Sequence, residues 1–124
     1  MPDHMQSTVA ALASALDQKE LSGTALGNWR WQVRQRLLAV RDGLGAETAY
    51  FSEDWLAARA GSVLRERNHL MSRMMELGPV VLGEADIDRV RGELRRVVAD
   101  VTRHLQRLND LAYDDVEMEL GGSE

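Results

Sequence analysis

The chain has no cysteine, one lysine, two prolines and six aromatic residues in 124. Without cysteine there is no disulfide framework, thiol nucleophile, iron–sulfur cluster or cysteine-based zinc site. His4, His69 and His104 are the strong candidates left for chemistry. The single Lys19 stands against fourteen arginines, which suggests a GC-rich genome and says little about mechanism. No run of 18 apolar residues occurs, so no membrane span is expected. Residues 9–16 are apolar, but the leader MPDHMQST holds Asp3 and no basic residue, whereas a secretion signal needs a basic start. The expectation is a cytoplasmic protein with no membrane partner.

Recognised catalytic signatures are missing as well. Neither G-x-x-x-x-G-K-[ST] nor G-x-G-x-x-G occurs, and the serines have no elbow or neighbouring base. No carboxylate pair has a reason for a raised pKa. No catalytic residue and no cofactor are therefore expected.

What the chain does have is helical periodicity. At 100° per residue four segments show an apolar stripe, and none alternates as a strand does. The first, about 7–20, repeats as Val9, Leu12, Ala13 and Leu16. The second, about 26–44, carries Leu26, Trp29, Val33, Leu37, Val40 and Leu44, with Gly43 and Gly45 read as its close. The third, about 53–77, opens with Ser52 as N-cap, Glu53 and Asp54 at the positive helix end, and a Phe51–Leu56 staple. Its stop is expected at Leu77-Gly78-Pro79. The fourth, about 84–119, has the seam Ile87, Val90, Leu94, Val97, Val101, Leu108 and Leu111.

Spacings of three and four held over several turns favour near-antiparallel packing of long helices. The fold class expected is all-α: an antiparallel bundle of three long helices plus a short N-terminal helix, making a three- or four-helix bundle. The 124 residues suit a single domain, 1–124, able to bury about two-thirds of its unfolded surface.

Helical bundles often hold di-iron sites built from Glu-x-x-His pairs, so the histidines require a test. Glu66 and His69 fit that spacing once, and Asp100 with His104 makes an i, i+4 pair. The last helix, RHLQRLNDLAYDD, resembles the final helix of hemerythrin-like proteins, where a histidine is followed five residues later by an aspartate ligand. Here Asn109 holds that position and Asp110 is one step off; the resemblance covers one helix, and the paired histidines of the other helices are missing. Counting from a turn at 78–83 puts His69 and His104 at heights ~15 Å apart, too far for shared ligation. His69 is expected on the solvent side and His104 on the flank of its stripe, bonded to a neighbour. No metal is expected. Glu66, His69, Asp100 and His104 would be the ligands of the alternative, a degenerate hemerythrin- or ferritin-like bundle that binds a metal or small ligand.

Three further features stand out. Arg30, Arg34 and Arg41 fall within about 40° on one helix face, with no acid between Leu21 and Arg41; they form a basic stripe that either meets a partner or pairs with acids on a neighbouring helix. Trp31 and Leu38 lie away from the main seam, so they either contact the N-terminal helix or form an exposed anchor, and Trp55 would extend the patch. Arg67 falls within an apolar stripe and is expected to form a register-fixing polar layer with Glu93 or Asp100, stacked on a tryptophan. Met71, Met74 and Met75 are read as core filling.

The function expected is non-catalytic: protein–protein interaction or self-association, with Trp31, Leu38, Arg30, Arg34, Arg41 and Trp55 as the contact surface. The partner is another protein or a second copy in a dimer. Nucleic acid is disfavoured because the chain is acidic overall, at −5. The charge is polarised, because residues 108–124 hold Asp110, Asp114, Asp115, Glu117, Glu119 and Glu124 and no base.

Overall fold

The computed structural model describes the backbone of residues 2–50 and 61–122, and the side chains of residues 4–46 and 61–111. Among the described residues there are four helices and no strand: α1 (Pro2–Leu16), α2 (Thr24–Tyr50), α3 (Gly61–Gly83) and α4 (Ile87–Gly122). The Ser52 cap, the Phe51–Leu56 staple and Trp55 lie outside the described residues. Helix α1 packs on α2 and on α4, and α3 likewise packs on α2 and on α4.

The seams read from the periodicity are the buried ones. Leu12 and Leu16 from α1, Trp29, Val33, Leu37, Val40 and Leu44 from α2, and Val90, Leu94, Val97 and Val101 from α4 form one core with Leu70, Met74 and Val81 from α3. Truncating a buried leucine in such a core costs about 2–5 kcal/mol, so these stripes hold the fold.

Helix boundaries differ from the expectation at three glycine positions. Helix α2 runs through Gly43 and Gly45 to Tyr50 instead of closing at 44. Gly43 faces α1, where a Cβ would overlap the Met5 Sδ; its lack of a side chain lets α1 approach and does not end the helix. Helix α3 likewise continues through Gly78 and Pro79 to Gly83. A proline normally excludes the preceding residue from helical backbone by clashing with its Cβ, and Gly78 has none. Gly78 is itself buried, and the next turn is anchored by the buried Val81. Gly23, with φ 58°, takes the left-handed conformation before α2.

The connection between α3 and α4 is therefore residues 84–86 and not 78–83. Asp86 caps α4: its Oδ1 accepts the Arg89 backbone N–H at 3.2 Å. At the other end of the first helix, side chains of other elements take up the last carbonyls of α1. Trp29 Nε1 donates to the Ala15 carbonyl at 2.8 Å, and Arg91 donates to that of Leu16 at 2.6 Å. The Arg91 guanidinium also lies 5.2 Å from the Trp29 ring centroid.

Candidate functional site

Two regions carry the residues singled out by sequence. The first borders the seam between α2 and α3. Trp31, Met75 and Leu82 are the large hydrophobic side chains left exposed among the described residues, at 58%, 60% and 44%. They share one flank. Met71 Cε lies 3.5 Å from where a Cβ on Gly45 would stand, and Arg34 Nε lies 4.0 Å from where one on Gly78 would, so Met71 and Gly78 face α2. Met75 and Leu82 follow them by four residues each, about 40° further round the helix toward solvent.

Helix α1 leaves Trp31 open to solvent, and Leu38 is half-buried. Among the described residues the basic stripe makes no ion pair with an acid on a neighbouring helix. Arg30 donates to the Val81 carbonyl at 2.8 Å, Arg34 lies 5.9 Å from the Trp31 ring centroid, and Arg41 donates to the adjacent Asp42 at 3.0 Å. Met75 and Leu82 were not read as surface from sequence. Of the three methionines expected in the core, Met74 is buried, Met71 packs against the core and Met75 is exposed.

The second region lies between α3 and α4. Nδ1 of His104 donates to Glu66 Oε1 at 2.8 Å, and Arg107 donates to the other oxygen of Glu66. Arg73 donates to Asp100 Oδ2 at 2.6 Å, and Arg103 donates to Oδ1. Together with His69 and Leu70, five of these side chains line a small cavity of about 230 Å³. The Arg73 guanidinium holds the Asp100 carboxyl below the usual carboxylate range. Burial pushes the His104 imidazole below its ordinary value, against the opposing pull of Glu66. His104 is therefore neutral, with its proton on Nδ1, while Nε2 is buried without a hydrogen-bond partner among the described residues.

Because α3 continues through Pro79, the height count changes. His69 lies fourteen residues before Gly83 and His104 seventeen after Ile87, an offset of only ~4.5 Å along the helices. The geometry brings Glu66 to His104, yet His69 is exposed and Asp100 is taken by two arginines. No group of three or more His, Asp or Glu able to hold a metal occurs among the described residues.

The expected layer of Arg67 with Glu93 or Asp100 is replaced by these pairs. Arg67 donates to its neighbour Asn68 at 2.8 Å, and Asp100 takes Arg73 and Arg103 instead. Glu93 sits eleven residues before His104, ~16 Å from the level of Glu66 and Arg67. Trp29 and Trp31 lie far along α2 from the Gly45–Met71 level beyond which Arg67 falls, so neither of these two stacks on it. The sequence reading missed Arg73, Arg103 and Arg107. Their signal was spacing: Arg73 follows Glu66 by seven residues, and Arg103 and Arg107 bracket His104.

No helix among the described residues is long and apolar enough to cross a membrane. Compared with known proteins, the chain matches no family model, no curated protein and no solved structure.

Proposed function

We propose that this protein is a non-catalytic, single-domain cytoplasmic bundle that acts by protein–protein contact or self-association through the α2–α3 face. The observation that carries this reading is the shared location of Trp31, Met75 and Leu82, three exposed apolar side chains beside Arg30 and Arg34. Tryptophan and arginine are the residue types that most often anchor interfaces, and scattered exposure would not gather on one seam. The partner surface is apolar with an acidic rim. Residues 108–124 of a second copy, with six acids and no base, have the charge that such a rim needs.

The bundle in this reading alternates in direction from helix to helix. The paired contacts Met5–Gly43 and Ala15–Trp29, Arg30–Val81 and Gly45–Met71, and Glu66–His104 and Arg73–Asp100 each fall in opposite sequence order on their two helices. A metal-binding bundle is the weaker reading, because Glu66 and Asp100 are each neutralised by arginine.

Light scattering and a pull-down with the wild-type chain and Trp31→Glu test the proposal. The expected result is a dimer or a retained partner that the substitution removes at unchanged helicity. A strict monomer with the same pulled-down proteins in both forms would overturn it.

A further inference from the structure

A groove of about 530 Å³ lies between α1 and α4, away from the Trp31 face. Ala10 and Ala13 stand against Val98 and Leu105, and the amides of Gln6 and Asn109 lie at one end. Beside Val9 and Gln6, the two alanines leave the trench open on the α1 side. No residue lining it carries a charge, in a chain that is 28% charged.

The other end is basic. One turn before Val98 stands Arg95, bonded to Asp17 at 3.2 Å in an exposed pair. Arg95, Arg91 and Lys19 line an adjoining cavity of about 430 Å³, with Asp88 as its one acid. Arg91 is occupied in capping α1. Lys19 and Arg95 are exposed, and the bonds of Arg95 to Asp17 and, at 3.4 Å, to the Leu16 carbonyl both use its Nη2.

We propose that the α1–α4 groove binds a single-chain anionic amphiphile, with the hydrocarbon chain along Ala10, Ala13, Val98 and Leu105 and the carboxylate at Lys19 and Arg95. The volume lies within the ~300–1,000 Å³ of small-molecule sites, whereas a stable protein interface buries about 800 Å² on each side. From Val98 to Asn109 the groove runs ~16 Å at ~1.5 Å per residue, a length suited to a medium hydrocarbon chain. An uncharged trench excludes a second charge along that chain, and the basic end sets the sign of the head. Exposure of the Arg95–Asp17 pair makes exchange of one carboxylate for another easy.

Calorimetric titration of the full chain with dodecanoate, below its micelle concentration, tests the site. Expected are one molecule bound per chain, with a dissociation constant on the order of micromolar, and at least about tenfold weaker binding of dodecanol. Lys19→Ala combined with Arg95→Ala is expected to bring dodecanoate down to the level of dodecanol. Ala13→Leu fills the trench and is expected to weaken both ligands by about tenfold or more. Ala10→Leu, at a more exposed position, gives the same reading where Ala13→Leu fails to fold. Absence of saturable binding, equal binding of acid and alcohol, or several molecules bound regardless of Ala10→Leu would each overturn the proposal.

Discussion

The carboxylate of Glu66 holds the proton-bearing Nδ1 of His104 at 2.8 Å, across the seam between α3 and α4. The imidazole is 1% exposed, while Glu66 reaches the surface and meets Arg107 there. A charged group at the rim thus fixes the tautomer of a neutral group in the core. The imidazole in turn links two helices where an apolar side chain would leave rotation free.

This arrangement sets the sign of the acid response. The folded His104 has a pKa below the ordinary 6.5, so the unfolded chain takes up its proton first as pH falls. Stability is complete above about pH 6.5 and declines below it, toward the depressed folded value. Asp100, held below 3.8, adds a second loss in the same direction at lower pH. The urea midpoint is expected to fall between pH 7.5 and 5.5, and to fall less in His104→Leu. A midpoint that rises on acidification would contradict the neutral, buried assignment.

Replacing Asp100 by Ala strands two arginines. Arg73 is the more enclosed partner, and the side chains of this pair are 26% and 30% exposed. Charge-assisted hydrogen bonds contribute about 1.5–3 kcal/mol each, and solvent screening reduces that here to about 1–2 kcal/mol for the substitution. Denaturant titration at pH 7 and at high salt measures it; no loss at either salt would show that the pair is idle.

Glycine substitutions separate close packing from mere helix weakness. Nothing lies within 4 Å of a Cβ built on Gly92, so Gly92→Ala gains the helix propensity of alanine, about 1 kcal/mol. At Gly43 the same Cβ overlaps Met5, so Gly43→Ala gains less or destabilises. Thermal melts of the two variants are expected to shift in different amounts or directions. Equal shifts would mean that α1 does not rest on Gly43.

Gly78 and Pro79 are expected to be coupled. Pro79→Ala restores a helix-interior N–H and relieves a ring clash that together cost roughly 3 kcal/mol, so a gain of about 1–3 kcal/mol is expected. Gly78→Ala alone brings a Cβ against the proline ring and is destabilising; in the Pro79→Ala background it is not. A double-mutant cycle showing additivity would remove this explanation of how α3 passes its proline.

Element type was legible in the sequence because burial acts on every turn. Trp29, Val33, Leu37, Val40 and Leu44 repeat their signal five times, and the core follows them. Boundaries rested on single residues, where tertiary packing outweighs local preference. Gly43 and Gly78 signal a break in isolation, but in the fold Gly43 is where α1 comes close to α2 and Gly78 is the residue without a Cβ that lets α3 pass Pro79. A turn placed six residues early shifts every level across α3 and α4, so the sequence alone brings Arg67, in place of Glu66 and Arg73, level with the acids of α4 and sets two histidines close in height far apart. Exposed Met75 and buried Met74 differ by one residue, a distinction that a stripe as diffuse as that of α3 does not resolve.

The capping of the Leu16 carbonyl by Arg91 spans 75 residues of chain. Contacts of such separation form late, since the loop entropy must be lost before they reward it. The end of α1 is thus complete only once α4 has docked, whereas Trp29 of α2 reaches the Ala15 carbonyl across 14 residues. The last turn of α1 and the first turns of α4 thereby lose independence, and hydrogen exchange in the two is expected to occur through one shared opening.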